Sequence, residues 1–164
     1  MTRLDHIDLK ILAALQRNGR MRNSELAERV NLSPSPCLQR TKRLEDEGFI
    51  RGYGADIDLA KLGETLTVFT EITLTGHRGQ DFKTFEAGLA AFGEVIECHL
   101  VSGGYDYLVK FLCRNILHYQ ECIEAILAAE LGIEKYFSYV VIKTPIPARP
   151  ADITQFARQS DDRR

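Results

Sequence analysis

Ser33-Pro34-Ser35-Pro36-Cys37-Leu38-Gln39-Arg40-Thr41-Lys42-Arg43-Leu44-Glu45-Asp46-Glu47-Gly48-Phe49-Ile50 is the stretch from which the rest of the chain can be read. Ser33 is placed to cap a helix by accepting an early N–H. Pro34 and Pro36 fall in the first turn, where a missing N–H costs little. Two prolines here start a helix. Cys37, Thr41, Leu44 and Gly48 recur at helical spacing as a packed face, leaving Ser35, Gln39, Arg40 and Arg43 to point elsewhere. The acids Glu45, Asp46 and Glu47 follow only after the basic segment. A helix of this design turns its N-terminal half and its cations toward nucleic acid.

The residues before it supply two more helices. Leu4, Ile7, Ile11, Leu12 and Leu15 form an apolar stripe, with Asp5 as N-cap and Asp8 three residues on, which predicts a helix from about Asp5 to Arg17. Asn18-Gly19 ends it. A second, short helix capped by Asn23 carries Leu26, Ala27 and Val30 inward, before the turn Asn31-Leu32-Ser33. Three helices so spaced predict a helix-turn-helix DNA-binding domain over 1–50. Gly52 and Gly54 then disfavour helix, so 49–57 reads as a short strand, with 51–64 serving as wing and linker.

The period changes after that. Leu66, Val68, Thr70, Ile72 and Leu74 alternate with Thr67, Phe69, Glu71 and Thr73 as in a strand, and Phe82, Phe85, Leu89 and Phe92 return to helical spacing. Val95–Val101 and Tyr105–Cys113 read as strands around Ser102-Gly103-Gly104. A helix with Tyr119, Ile123, Ile126 and Leu127 inward follows, then a last strand over 133–143. The order β-α-β-β-α-β is that of a ferredoxin-like domain, expected over 65–144, and the fold class is α+β. One sheet face has no helix to cover it. Its residues are Phe69, Leu108, Leu112 and Tyr139, or else Tyr107 and Phe111; either set is too apolar for water, which predicts a homodimer through this half. The tail, 145–164, opens with Pro145, Pro147 and Pro150, with one short helix expected over 150–158 and a poorly ordered charged end at 161–164.

A chain of 164 residues that is 45% apolar holds one ordinary domain or two small ones, which excludes disorder throughout. Its net charge of −2 is unpromising for a DNA binder, but residues 1–60 carry 10 basic groups against 9 acidic while the remainder is acidic. Modest affinity per subunit follows, which an oligomer multiplies. Cys37, Cys98, Cys113 and Cys122 have no C-x-x-C spacing, so reduced core thiols are expected and zinc or a disulfide framework is not. The N-terminus has no leader pattern and no segment reaches spanning length, which points to a cytoplasmic protein.

Within the third helix, Arg40 and Arg43 are expected to read bases or phosphates, Ser35 and Gln39 to reach base edges, and Lys42 to meet a phosphate. Ser33 and Pro36 frame the entry of that helix. Arg22 and Arg51 either add backbone contacts or are plain surface charge. Gly103-Gly104 also has two readings. It is a type I′ hairpin turn, which needs positive φ at both positions, or a place where bare backbone meets a ligand. Asp106 accordingly pairs with an amino group or is an ordinary strand-end carboxylate. His6, His77, His99 and His118 are scattered, no nucleophile has a base in a fixed motif, and there is no nucleotide-binding glycine run. Catalysis and a nucleotide cofactor are not expected.

Several blocks resemble the Lrp/AsnC (feast/famine) family. They are Leu4-Asp5-His6-Ile7-Asp8, the Ser33–Leu38 run with Arg40 and Arg43-Leu44-Glu45, Gly48-Phe49-Ile50, Val68–Leu74, Glu97–Gly103, Tyr105-Asp106-Tyr107-Leu108 and Tyr139-Val140-Val141. The resemblance covers roughly residues 3–143. It implies a winged helix-turn-helix joined to a ferredoxin-like RAM domain that binds an amino-acid effector and dimerises, with dimers assembling to octamers or larger around which DNA wraps. The family's effector lies between dimers near the β2-β3 hairpin, which by position implicates Ser102, Gly103, Gly104, Tyr105 and Asp106, with Ser138 and Tyr139 on the last strand as additions. One departure stands out: Gly104 occupies a place where the leucine-responsive pattern has an acidic residue, so leucine is only the first effector to test. The resulting expectation is a sequence-specific transcriptional regulator that binds double-stranded DNA and responds to an amino acid. An effector-independent nucleoid-organising protein is the alternative, and a small enzyme or stand-alone sensor a third.

Overall fold

The computed structural model describes residues 4–153 and Gln155. The described residues form two compact units, 4–56 together with 147–153 and Gln155, and Ile57–Ile146. The first contains α1 (His6–Arg17), α2 (Asn23–Arg29) and α3 (Pro34–Asp46). Ile11, Ala14, Leu15, Leu26, Ala27, Val30, Cys37 and Leu44 form their common core. Asp5 and Asp8 close a reciprocal capping box: the Asp5 carboxylate accepts the Asp8 N–H at 2.8 Å, and the Asp8 carboxylate accepts the Asp5 N–H at 3.0 Å.

The other caps differ from expectation. Asn23 is the first residue of α2 rather than its cap, and its side-chain amide instead donates to the Pro34 carbonyl at 2.8 Å, tying the start of α2 to the start of α3. Ser33 is the N-cap of α3 by backbone geometry, but its hydroxyl accepts no capping bond; Pro36 at the third helical position has no N–H to offer. Gly48 does not extend the packed face of α3. It follows the C-cap Glu47 with φ +76, and the Ile50 N–H returns to the Leu44 carbonyl at 3.1 Å, a left-handed exit that a side chain would strain. The strand expected over 49–57 does not form. Gly52 and Gly54 leave it with little to pack, and it is held instead by Tyr53, whose hydroxyl donates to Glu45 at 2.8 Å.

The second unit contains β1 (Leu66–Leu74), α4 (Gly79–Leu89), β2 (Val95–Leu100), β3 (Tyr107–Cys113), α5 (Ile116–Ala128) and β4 (Ile133–Val140), after a 3-10 turn at Leu59–Lys61. All pairings are antiparallel in the order β2-β3-β1-β4. This is the βαββαβ ferredoxin-like arrangement, making the chain α+β. Val68, Ile72 and Leu74 of β1 and Tyr107, Val109, Phe111 and Cys113 of β3 face the helices, where Phe85, Leu89, Tyr119, Cys122, Ile123 and Ile126 meet them. The rings of Phe85 and Tyr107 lie 4.6 Å apart. Leu127, expected inward, is exposed, and Cys122 fills that stripe in its place.

The register also settles which residues form the open sheet face. Phe69 pairs with Lys110 and Tyr139, Glu71 with Leu108 and Phe137, and Thr67 with Leu112, so these share the side opposite the helices; Tyr107 and Phe111 are in the core. Of the four free thiols, Cys37, Cys113 and Cys122 are buried as expected, but Cys98 on edge strand β2 is exposed. Among the described residues no helix is long and apolar enough to cross a membrane, and no group of His, Cys, Asp and Glu is arranged to hold a metal. Of the helix expected over 150–158, residues 150–152 are not helical, Ile153 and Gln155 are, and the rest lies outside the described residues, as does the charged end 161–164.

Candidate nucleic-acid interface and ligand loop

Asp8 is buried to 1% exposure at the start of α1, and a buried carboxylate requires cations or donors. Both come from α3. The Arg40 guanidinium donates through Nη1 to Asp5 Oδ2 at 2.6 Å and to Asp8 Oδ1 at 2.9 Å, and Arg43 Nη2 lies 2.7 Å from Asp8 Oδ2. The bond from the Asp8 N–H, reinforced by Arg40, holds the Asp5 carboxyl at a pKa of about 2. The same two carboxylates raise the pKa of Arg40.

The expectation that Arg40 and Arg43 project away from the packed face of α3 is therefore corrected: both guanidiniums turn back onto α1. The signal for Arg40 was present in the spacing. It lies three residues after Cys37 and four before Leu44, on the edge of the buried stripe, and Asp8 is the lone acid that α1 places inside. The freely exposed face of α3 consists of Ser35, Leu38, Gln39 and Lys42, with Pro36 beside them and Ser33 at the entry. Lys42 makes no ion pair among the described residues. Arg22, the N-cap of α2, and Arg51, beyond α3, are likewise exposed.

In the second unit the β2-β3 connection is wider than a two-residue turn. The Val101 N–H still donates to the Asp106 carbonyl at 2.9 Å, so the turn runs over Ser102–Tyr105. Neither Gly103 nor Gly104 has positive φ, which overturns the type I′ assignment, and a Cβ at either would meet nothing within 4 Å. Within the chain, neither backbone conformation nor crowding requires glycine here. Asp106 has definite partners: its Oδ2 accepts the Leu74 N–H at 2.8 Å, and its carboxylate lies 3.1 Å from His77 Nε2. It caps the end of β1 and anchors the loop.

Ser138 and Tyr139 point to opposite faces of β4. Ser138 pairs with Thr70 on the helix side and shares a hydrogen bond with the Tyr119 hydroxyl, which also bonds Thr70 at 2.8 Å. Tyr139 is on the open face, where its hydroxyl donates to Glu71 at 3.2 Å. Because β1 lies between β3 and β4, the structure gathers Ser102–Asp106 into one loop but does not bring Ser138 to it.

Two family models match the chain: winged helix-turn-helix DNA-binding over residues 4–51 and the Lrp/AsnC ligand binding domain over 67–151. The transcriptional regulatory protein DoeX of Halomonas elongata is 47% identical over 142 residues, covering 87% of this chain and 90% of that protein. The leucine-responsive regulatory protein of Escherichia coli is 42% identical over 140 residues, 85% of each. A transcriptional regulator from Neisseria meningitidis, solved as an L-Met complex, superposes with a TM-score of 0.85 at 32% identity, covering 93% of this chain and 99% of that one. With both units matched and relatives of nearly full coverage, the chain belongs to the Lrp/AsnC family and is a DNA-binding transcriptional regulator with a ligand-binding domain, not an enzyme.

Proposed function

We propose that the chain is a cytoplasmic, nucleoid-associated, sequence-specific regulator of amino-acid metabolism genes that responds to an amino acid and acts as a multimer of dimers. The observation that carries the DNA half is the α3 face: Ser35 and Gln39 offer hydrogen bonds to base edges and Lys42 a phosphate contact, while the Asp8 pairs with Arg40 and Arg43 fix the pitch of the helix. Arg22 and Arg51 add phosphate contacts from the flanks. Arg40 and Arg43 act here by holding α3 in place, with whatever part of each guanidinium remains exposed available to the backbone.

For the ligand half, Gly103 and Gly104 are glycines that nothing within the chain demands. Close approach by a ligand or a second subunit would explain them. Ser102–Asp106 supply backbone groups, and the Neisseria relative with bound L-Met supports an amino acid as the chemical class. Ser138, turned to the helix side, joins such a site only through another subunit, whereas Tyr139 on the open face is close enough to Tyr105 to interact with it electrostatically. The open sheet face, with Phe137 at 57% and Tyr139 at 52% exposure beside Phe69, Leu108 and Leu112, supports isologous dimerisation there, with larger assemblies built on the dimer.

The test is binding at fixed salt to a duplex selected from a random pool, against competitor DNA. Affinity at least a thousandfold above competitor, in two half-sites about one helical turn or a multiple apart, is expected. A ratio near one would mean a nucleoid-organising protein with little sequence preference. Sedimentation of the full chain should show a dimer or a multiple of it, and a monomer at micromolar concentration would remove the assembly from the proposal.

A further inference from the structure

With Arg40 and Arg43 turned onto α1, the exposed stripe of α3 has an apolar member. Leu38 is 57% exposed, more than any other large apolar side chain described before Asp56. It sits three residues after Ser35, adjacent to Gln39, and four before Lys42, so the four form one narrow stripe over the first turns of the helix. Asp46 continues that stripe at its far end, which confines any approach to DNA to the N-terminal half. Leu38 makes no contribution to the core formed by Cys37 and Leu44. A large apolar group between two hydrogen-bonding side chains and a cation suits one feature of a major groove, the C5-methyl of thymine, the apolar group that the four bases present there.

We propose that Leu38 is a specificity-determining residue that packs against a thymine methyl in each half-site. The proposal rests on α3 being the DNA-reading helix. Ser35 and Gln39 fix the register of the bases beside it and Lys42 fixes the adjacent phosphate. The exposed Leu38 then loses water contact only when the correct base is present, so it adds discrimination without directing the protein to DNA in general.

The experiment uses the full chain and its selected duplex, with each thymine of a half-site replaced in turn by uracil, which keeps every hydrogen bond and removes only the methyl. Burial of one methyl corresponds to about fourfold in affinity. At one thymine per half-site, uracil should weaken the wild-type protein by about that factor, and Leu38→Ala should bind thymine and uracil equally. Because Leu38 is outside the core, that variant should melt as the wild type does. Equal wild-type binding of thymine and uracil at every position, or a selected half-site without thymine, overturns the inference while leaving α3 as the reading helix if Gln39→Ala and Lys42→Ala still weaken binding. A methyl effect that persists in Leu38→Ala also overturns it. If none of the three substitutions alters binding, the placement of α3 against DNA is itself wrong and this inference falls with it.

Discussion

Helix α3 and the Ser102–Asp106 loop both present an exposed face, but they are built in opposite ways. The orientation of α3 is determined within the chain: Cys37 and Leu44 are fully buried, Asn23 ties down its start, and Asp8 holds two of its arginines. The loop is anchored at its ends, by Asp106 on the Leu74 N–H and by the Val101–Asp106 bond, and a Cβ at either central glycine would meet nothing within 4 Å. A reading head has to be rigid before it meets DNA, since the cost of ordering side chains would otherwise be taken from affinity. A loop that responds to a ligand has to leave some of its contacts unmade.

The sharpest way to break that comparison is to remove Asp8. Asp8→Ala takes away one half of the capping box and leaves Arg43 beside α1 without its carboxylate, so a loss of about 3 kcal/mol is expected in denaturant unfolding of the N-terminal unit. Operator binding should fall with it, and Asp8→Asn should recover only part of both. A variant as stable as wild type would mean that the arginines are not held as described.

Asp106→Ala probes the loop in the same manner. It strands the Leu74 N–H at the end of β1, costing about 1–2 kcal/mol, while the DNA-binding unit keeps its own stability. Effector response should disappear because the loop loses its anchor, and Asp106→Asn, which retains an acceptor, should restore much of the stability. Undiminished response in the alanine variant would separate the loop from the ligand.

Acid should weaken the N-terminal unit through Asp5. Its pKa is lowered to about 2 in the folded state, so its contribution is complete above the ordinary carboxylate value near 4 and is lost as pH falls from there toward 2. Asp5→Asn should flatten the pH dependence of unfolding in that window; a profile identical to wild type would contradict the Asp8 N–H bond and the Arg40 pair assigned to Asp5. The smallest stability effect is expected from Gly104→Asp. The site has open space and ordinary φ, so stability should move by less than about 0.5 kcal/mol while ligand selectivity changes. A folding defect would show that the glycine has a structural role.

Periodicity made the architecture legible. The Leu4–Leu15 stripe, the Asp5/Asp8 capping box, the proline-led α3 and the alternation through Leu66–Leu74 each correspond to an element in the structure, because local spacing determines local burial. Side-chain direction at stripe edges was not legible. Arg40 reads as an outward cation until the buried Asp8 on another helix is known, and Ser138 and Tyr139 read as neighbours until the register puts them on opposite faces. The turn geometry at Gly103-Gly104 was missed for a similar reason: a glycine pair permits positive φ without requiring it. Family resemblance pointed to Ser102–Asp106 as a candidate ligand loop, whereas the residues alone left Asp106 open between a ligand contact and a strand-end carboxylate.

The proposed function couples a unit that reads DNA to one that adjusts that reading in response to an amino acid. The direct test is the apparent affinity for the selected duplex, at fixed salt, with and without each of the twenty amino acids. One or a few should shift it by about 5- to 150-fold. Tight, sequence-specific binding indifferent to all twenty would contradict the account.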